Sequence, residues 1–481
     1  MNSIRSSEIA MSHTTRHTLL ALLCAALISC GGGGGTSAPP IGGIQGSGIA
    51  LGVITGFGSI FVNGIEFSTS GAQIRIEDQS GTESQLKIGQ VVLVRGRIDS
   101  GGRTGTANSV DFNDNVEGPI DSLNIAAATF RVLGQTVRVT GSTLFDSNIT
   151  PASIDGLSNG LVVEVSGLVN AAGETVATRI ERKAAGGEFE ITGAVRSLNT
   201  ANSTFSINAQ LIDYSAATIS NGTLADGRIV EVKGTTLLPS GALRARTVEL
   251  ENGIGAANGD QLEIEGLVTR FASNTDFDVS GQRVTTDGTT QFITNGLTLA
   301  LNIEVEVEGT VNAAGVLVAK KVELKPDNSL RITATVDSVD SATNSLRVLG
   351  VAITTNAATQ FEDQSNLRIS PLRIGNLRTG DYVEVRGFEG STANTLIAVI
   401  LERRDLDTRV ELEGPARNLA DPNVTVLGLA INLQGVADFR DANDGPINRA
   451  QFFTQAAGQI IKLRGRTAGA TVIWERAEIE D

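Results

Sequence analysis

One short pattern, an apolar, variable, apolar, polar run closed by glycine, returns six times and constrains the fold of this chain more than any other feature. Its copies are Val92-Leu93-Val94-Arg95-Gly96, Val163-Glu164-Val165-Ser166-Gly167, Val230-Glu231-Val232-Lys233-Gly234, Val305-Glu306-Val307-Glu308-Gly309, Val383-Glu384-Val385-Arg386-Gly387 and Ile461-Lys462-Leu463-Arg464-Gly465. The alternation is that of a half-buried strand, and the closing glycine marks a bend or bulge. A second glycine precedes each core, as Gly89, Gly160, Gly227, Gly380 and Gly458, with Asn302 in the fourth copy. Glycine and asparagine share a tolerance for positive φ, so this position predicts a left-handed turn. A leucine three residues earlier recurs as Leu86, Leu157, Leu224, Leu299 and Leu377 and gives way only at Gln455.

The closing glycines are 71, 67, 75, 78 and 78 residues apart, which divides 481 residues into six tandem repeats rather than the about three domains that length alone suggests. Upstream of each core lies a hairpin. Its turn is Asn63-Gly64 in the first repeat, and later copies carry Gly134, Gly281, Gly350 and Gly428, whereas the third has Asn208-Ala209. Downstream, a turn that is identical at Asn170-Ala171-Ala172-Gly173 and Asn312-Ala313-Ala314-Gly315 leads to a closing strand such as Val318-Ala319-Lys320-Lys321-Val322-Glu323. An opening strand, a hairpin pair, an organising strand and a closing strand make five. The fold class expected is therefore all-β, six small five-stranded barrels of the OB-like or SH3-like kind. The boundaries expected are 48–115, 116–187, 188–260, 261–328, 329–407 and 408–481. Repeats of this size bury little surface alone, so contacts between neighbours are expected to hold an elongated rod.

The first residues read as a targeting segment. Arg16 and His17 precede an apolar stretch from Thr18 to Ile28, too short to span a bilayer, and Met11 is a better start than Met1. Leu27-Ile28-Ser29-Cys30 resembles a bacterial lipobox, which implies a signal peptide over 1–29, a lipidated Cys30, and a flexible glycine-rich tether over 30–47. Gly31 after Cys30 resembles outer-membrane sorting. Cleavage before Cys30 would take 38 basic and 53 acidic residues to 36 and 52, and the net charge from −15 to −16. Cys24, His13 and His17 would leave with the signal.

A chain without histidine or a free thiol has no serine or cysteine triad and no imidazole or thiolate metal site. Glu164, Glu231, Glu306 and Glu384 recur at one strand position. A paired-acid site is expected once, so these glutamates read as the solvated face of an alternating strand rather than as catalytic groups. Calcium candidates are Asp111 with Asn113 and Asp114, Glu362 with Asp363, and Asp441 with Asn443 and Asp444 before Gly445; none fits a twelve-residue calcium loop, and all read first as turns. Acidic charge, scarce aromatics and the lack of basic runs argue against nucleic acid. Trp474 reads as core or end-cap packing. No cofactor is expected.

The run Gly56-Phe57-Gly58-Ser59-Ile60-Phe61-Val62-Asn63-Gly64, with the repeated leucine, glycine, valine and glycine pattern, resembles the tandem repeats of an uncharacterised bacterial lipoprotein family built from a domain of unknown function. The resemblance covers about residues 48–481. It implies an exported, outer-membrane-anchored β-repeat protein and brings no catalytic residues. The resulting expectation is a non-enzymatic spacer, scaffold or adhesion surface, held in the membrane through Cys30 and meeting an envelope protein or polymer. The alternative is a binder of a small ligand or calcium through one divergent repeat, in the fifth over Gln364 to Leu372 or the sixth over Asp441 to Arg449.

Overall fold

The first five repeats each close on themselves by the same five pairings. In the fifth repeat, an opening strand, Leu330–Asp340, pairs antiparallel with the organising strand Tyr382–Glu389 and with the first hairpin strand, Ser345–Val348. The second hairpin strand, Val351–Thr354, then runs parallel to the closing strand Thr395–Arg404, which pairs antiparallel with the organising strand. Parallel closure between the third and fifth strands is the OB-type arrangement rather than the SH3-type. The protein is described by a computed structural model over residues 46–481, apart from 58, 100–101, 126, 252, 295–296, 326–329, 357–358, 391–394, 443–444, 470 and 481. Residues 1–41 and 42–481 are separate units. The expected signal peptide, Cys30 and most of the tether lie outside the described residues, as do Asn443 and Asp444.

The sequence pattern dictates the packing inside each barrel. The paired apolar positions of all six organising strands, from Val92 and Val94 to Ile461 and Leu463, are buried, and they meet Phe67, Phe130, Phe205 and Phe277 from the hairpins of the first four repeats. The closing glycine sits where the register with the closing strand slips, as at Ser166/Gly167 and Arg386/Gly387. A Cβ on Gly387 would lie 1.9 Å from the Ile397 carbonyl oxygen, so only glycine lets the strands approach. Gly160 answers a different need. It has open space around it but φ +87, and Asn302 takes φ +65 at the equivalent place, the left-handed turn expected there. Leucines 86, 157, 299 and 377 are buried beneath this turn. In the sixth repeat, where the leucine fails, the helix Arg449–Gln455 buries Phe452 instead.

A sixth, short strand lies outside the expected five. It joins hairpin to organising strand and runs parallel to the closing strand, as in Gln73–Ile76, Gln291–Ile293 and Gln360–Asp363.

The repeats are not held by chain neighbours alone, which corrects the rod. The outer half of each opening strand leaves an edge free, and two repeats share it. Opening strands pair antiparallel between repeats two and three (Glu190 opposite Glu117) and between five and six (Ile332 opposite Leu412). Repeat one pairs instead with repeat four, in parallel, Gly48 to Leu51 against Gln261 to Ile264. Repeat five reaches repeat two through Arg386, which donates to the Gly141 and Thr143 carbonyls at 3.0 and 2.7 Å. Ile88, Leu144 and Ile400, from repeats one, two and five, form a small apolar junction.

Candidate functional site

The outer face of the organising strand is the most chemically loaded surface, and it is not solvated. Glu231 is 2% exposed, and Glu164, Glu306 and Glu384 are likewise buried, against the solvent-facing role expected of them. The alternation correctly turns the valines inward, but the opposite face is covered by other repeats.

Strand register then sets like charges side by side. Glu164 has Glu117 on one side and Glu181 on the other, and Glu306 lies between Glu265 and Glu323. Directly opposed like charges destabilise a sheet, so each row needs cations. In repeat four, Lys321 binds Glu306 at 2.8 Å and also Glu308, while Lys325 binds Glu306 at 2.7 Å. Burial raises the Glu306 pKa, but the two lysines outweigh it and leave the carboxyl below its ordinary value. Repeat five uses arginines: Arg386 and Arg404 contact both Glu384 and Glu402, and Arg331 bridges to Glu411 of repeat six at 3.0 Å. Against burial, these arginines hold Glu384 well below the usual carboxylate range.

Repeats one to three are balanced differently. Lys183 pairs with Glu164 and lies 3.7 Å from Glu117. Lys233 spans Glu231 at 3.1 Å, Glu190 at 3.2 Å, Asp78 at 3.3 Å and Glu77 at 3.8 Å. Burial pushes Glu164 and Glu231 up to about 7 despite these lysines. Glu77 and Asp78 form the tip of a tight turn with both residues at positive φ, 49° and 61°. That turn brings Glu77 to the start of repeat two, where its Oε1 accepts the Asp114 backbone N–H at 3.0 Å.

The calcium candidates separate. Of the first set only Asp114 enters the cluster, since Asn113 is exposed and Asp111 accepts from Ser109 at 3.2 Å. Burial first, and then the charges of Glu77, Glu164 and Glu117, drive the Asp114 carboxyl well above its ordinary pKa. Glu362 and Asp363 are each paired with an arginine, Arg179 and Arg403, and form no shared site. Asp441 closes its own loop by accepting the Gly445 N–H at 2.9 Å. Trp474 packs against the joint core of repeats five and six, the role expected of it. Sequence reasoning missed Glu77, Glu117 and Glu190, which come together only in the fold: strand pairing between repeats sets Glu117 against Glu190, and the Glu77-Asp78 turn adds the third. The signal present was a period-two alternation of charge sign, as in Glu181 and Lys183 or Glu231 and Lys233, which marks ion pairs along one face.

Fold and site together define a tandem array of small OB-type barrels locked by buried ionic rows. The profile of a family described as a domain of unknown function (DUF5666) matches residues 51–111, 117–181, 192–249, 252–323 and 333–400, and the chain belongs to that family. The matches stop short of the sixth repeat, whose opening strand breaks between Arg409–Pro415 and Arg417–Ala420 and whose hairpin joins a separate three-stranded sheet. No curated protein matches the chain.

Proposed function

We propose that this is a non-enzymatic, lipid-anchored cell-envelope protein whose barrels form a stiff scaffold that presents a protein-binding surface. The observation that carries the reading is the sharing of strand edges between repeats one and four, two and three, and five and six. A flexible spacer has no use for hydrogen-bonded edges or buried ion pairs between modules, whereas a platform that must hold several surfaces in fixed register does. The fifth repeat supplies a surface of the right kind. Leu367 and Leu406 are 66% and 77% exposed, and Asn366 holds their loops together through two hydrogen bonds to Asp405 at 2.8 and 2.7 Å. Exposed apolar side chains on a braced loop favour a protein partner over a polymer of sugars.

Crosslinking of the lipidated protein in intact cells, followed by capture and protease shaving, tests this reading. An envelope protein recovered with the wild type and lost with Leu367→Asp/Leu406→Asp is the expected result. Recovery of no envelope protein or polymer would overturn it. Cys30→Ser is expected to move the protein from the membrane to the soluble fraction.

A further inference from the structure

Five carboxylates converge where the first three repeats meet. Glu77, Asp114 and Glu190 each place an oxygen within 4.8 Å of the others, and Asp114, Glu117 and Glu164 do the same. That separation is the span of two ligands across a calcium ion, whose oxygens lie at about 2.3–2.6 Å. Asp114 belongs to both triads. It is 3% exposed, and among the described residues neither of its carboxylate oxygens has a hydrogen-bond partner. Glu77 Oε2 and Glu190 Oε1 are also buried without one. An ionised carboxylate enclosed in this way is unstable unless a cation joins it.

The two lysines at hand pair with the other four carboxylates of the cluster and not with Asp114. Lys183 holds Glu164 and Glu117, and Lys233 holds Glu190, Glu231, Glu77 and Asp78. In a fourth-repeat triad of the same spacing, Glu263, Glu306 and Glu308, the deficit is smaller, because only Oε2 of Glu263 is buried without a partner, against both oxygens of Asp114. There the Lys321 ammonium already bonds Glu306 and Glu308, and Lys325 bonds Glu306. Among the described residues no ammonium pairs with Asp114, and the neighbouring lysines leave both of its oxygens without a hydrogen bond.

We propose that Asp114, with Glu77, Glu190, Glu117 and Glu164, binds a hard divalent cation of the calcium class that ties repeats one, two and three together. An oxygen-only, carboxylate-rich set selects a hard ion over a transition metal. Ligands delivered from three repeats favour calcium, which tolerates irregular all-protein coordination, over magnesium, which keeps its waters. The site belongs to the junction and not to one divergent repeat, and it is independent of the scaffold reading.

The test is calorimetric titration and thermal unfolding of the full chain after stripping with EDTA. Wild type is expected to bind calcium saturably, and magnesium at least tenfold more weakly, with a rise in Tm of several degrees. Asp114→Asn removes one of the crowded charges, so without metal it should melt no lower than wild type while binding calcium at least tenfold more weakly. Glu117→Gln, milder still, should weaken binding in the same direction, and Glu263→Gln should leave it unchanged. Wild type that gives neither saturable heat nor a shift in Tm with millimolar calcium would overturn the proposal. So would an Asp114→Asn protein that responds to calcium as wild type does.

Discussion

Asp363 and Arg403 show what a buried carboxylate gains from a partner. The guanidinium meets both carboxylate oxygens, Ser365 donates through its hydroxyl at 2.6 Å and its backbone at 3.0 Å, and Ile369 donates at 2.7 Å. Burial pushes the Asp363 carboxyl up, yet these donors outweigh it and hold it at about 2. A depressed folded-state pKa stabilises above the ordinary value of 3.8 and loses that stabilisation as pH falls through about 2. Wild type is therefore expected to lose Tm between pH 4 and pH 2 more steeply than Asp363→Asn. At neutral pH that variant, which leaves Arg403 only the Asp381 carboxylate at 3.6 Å, should be less stable by about 2 kcal/mol in urea unfolding. Little of this was legible in the sequence. Period-two alternation says which side chains enter the barrel, and it did so for Val163, Val165 and their counterparts. It carries no information about what covers the other face, so Glu164 and Glu384 read as solvated although they are buried against cations of their own repeats, Lys183 for one and Arg386 and Arg404 for the other.

The organising strand and its glycines were readable because their reasons are local. Gly387→Ala would force its Cβ into the Ile397 carbonyl and is expected to cost roughly 2–4 kcal/mol, by analogy with other overpacked sites. Gly380→Ala meets no atom and pays only for φ +91, so about 1–2 kcal/mol is expected. Denaturant titration of both variants separates close approach from backbone strain. The short parallel strand was not legible, because three or four residues such as Gln291–Ile293 are too few to show a period. The sixth repeat's helix was hidden for a related reason: Asn448 caps it and pairs with Gln451 in a capping box, but seven residues expose one apolar face and no more. Phe452 fills the core there, and Phe452→Ala should destabilise by about 3–5 kcal/mol in the same assay.

At the scale of the whole molecule, strand edges decide how the repeats combine. The count of six and the barrel class could be read from glycine spacing, but the partners could not, since every opening strand offers a similar edge and the sequence does not say which one it meets. A chain ending at residue 260 keeps repeats one to three and leaves the Gly46–Gly56 edge unpaired. It is expected to self-associate, seen as a mass above the monomer in light scattering, because an open edge recruits another strand. The same pairing sets an order. Gly48 meets Gln261, about 200 residues later, so a chain that emerges from its N-terminus presents the first repeat before its partner. During that interval the fourth repeat of another nascent copy offers the same four-residue register. Chain order and order of assembly thus disagree in this protein, and crowding during folding favours exchanged dimers that dilution before folding prevents.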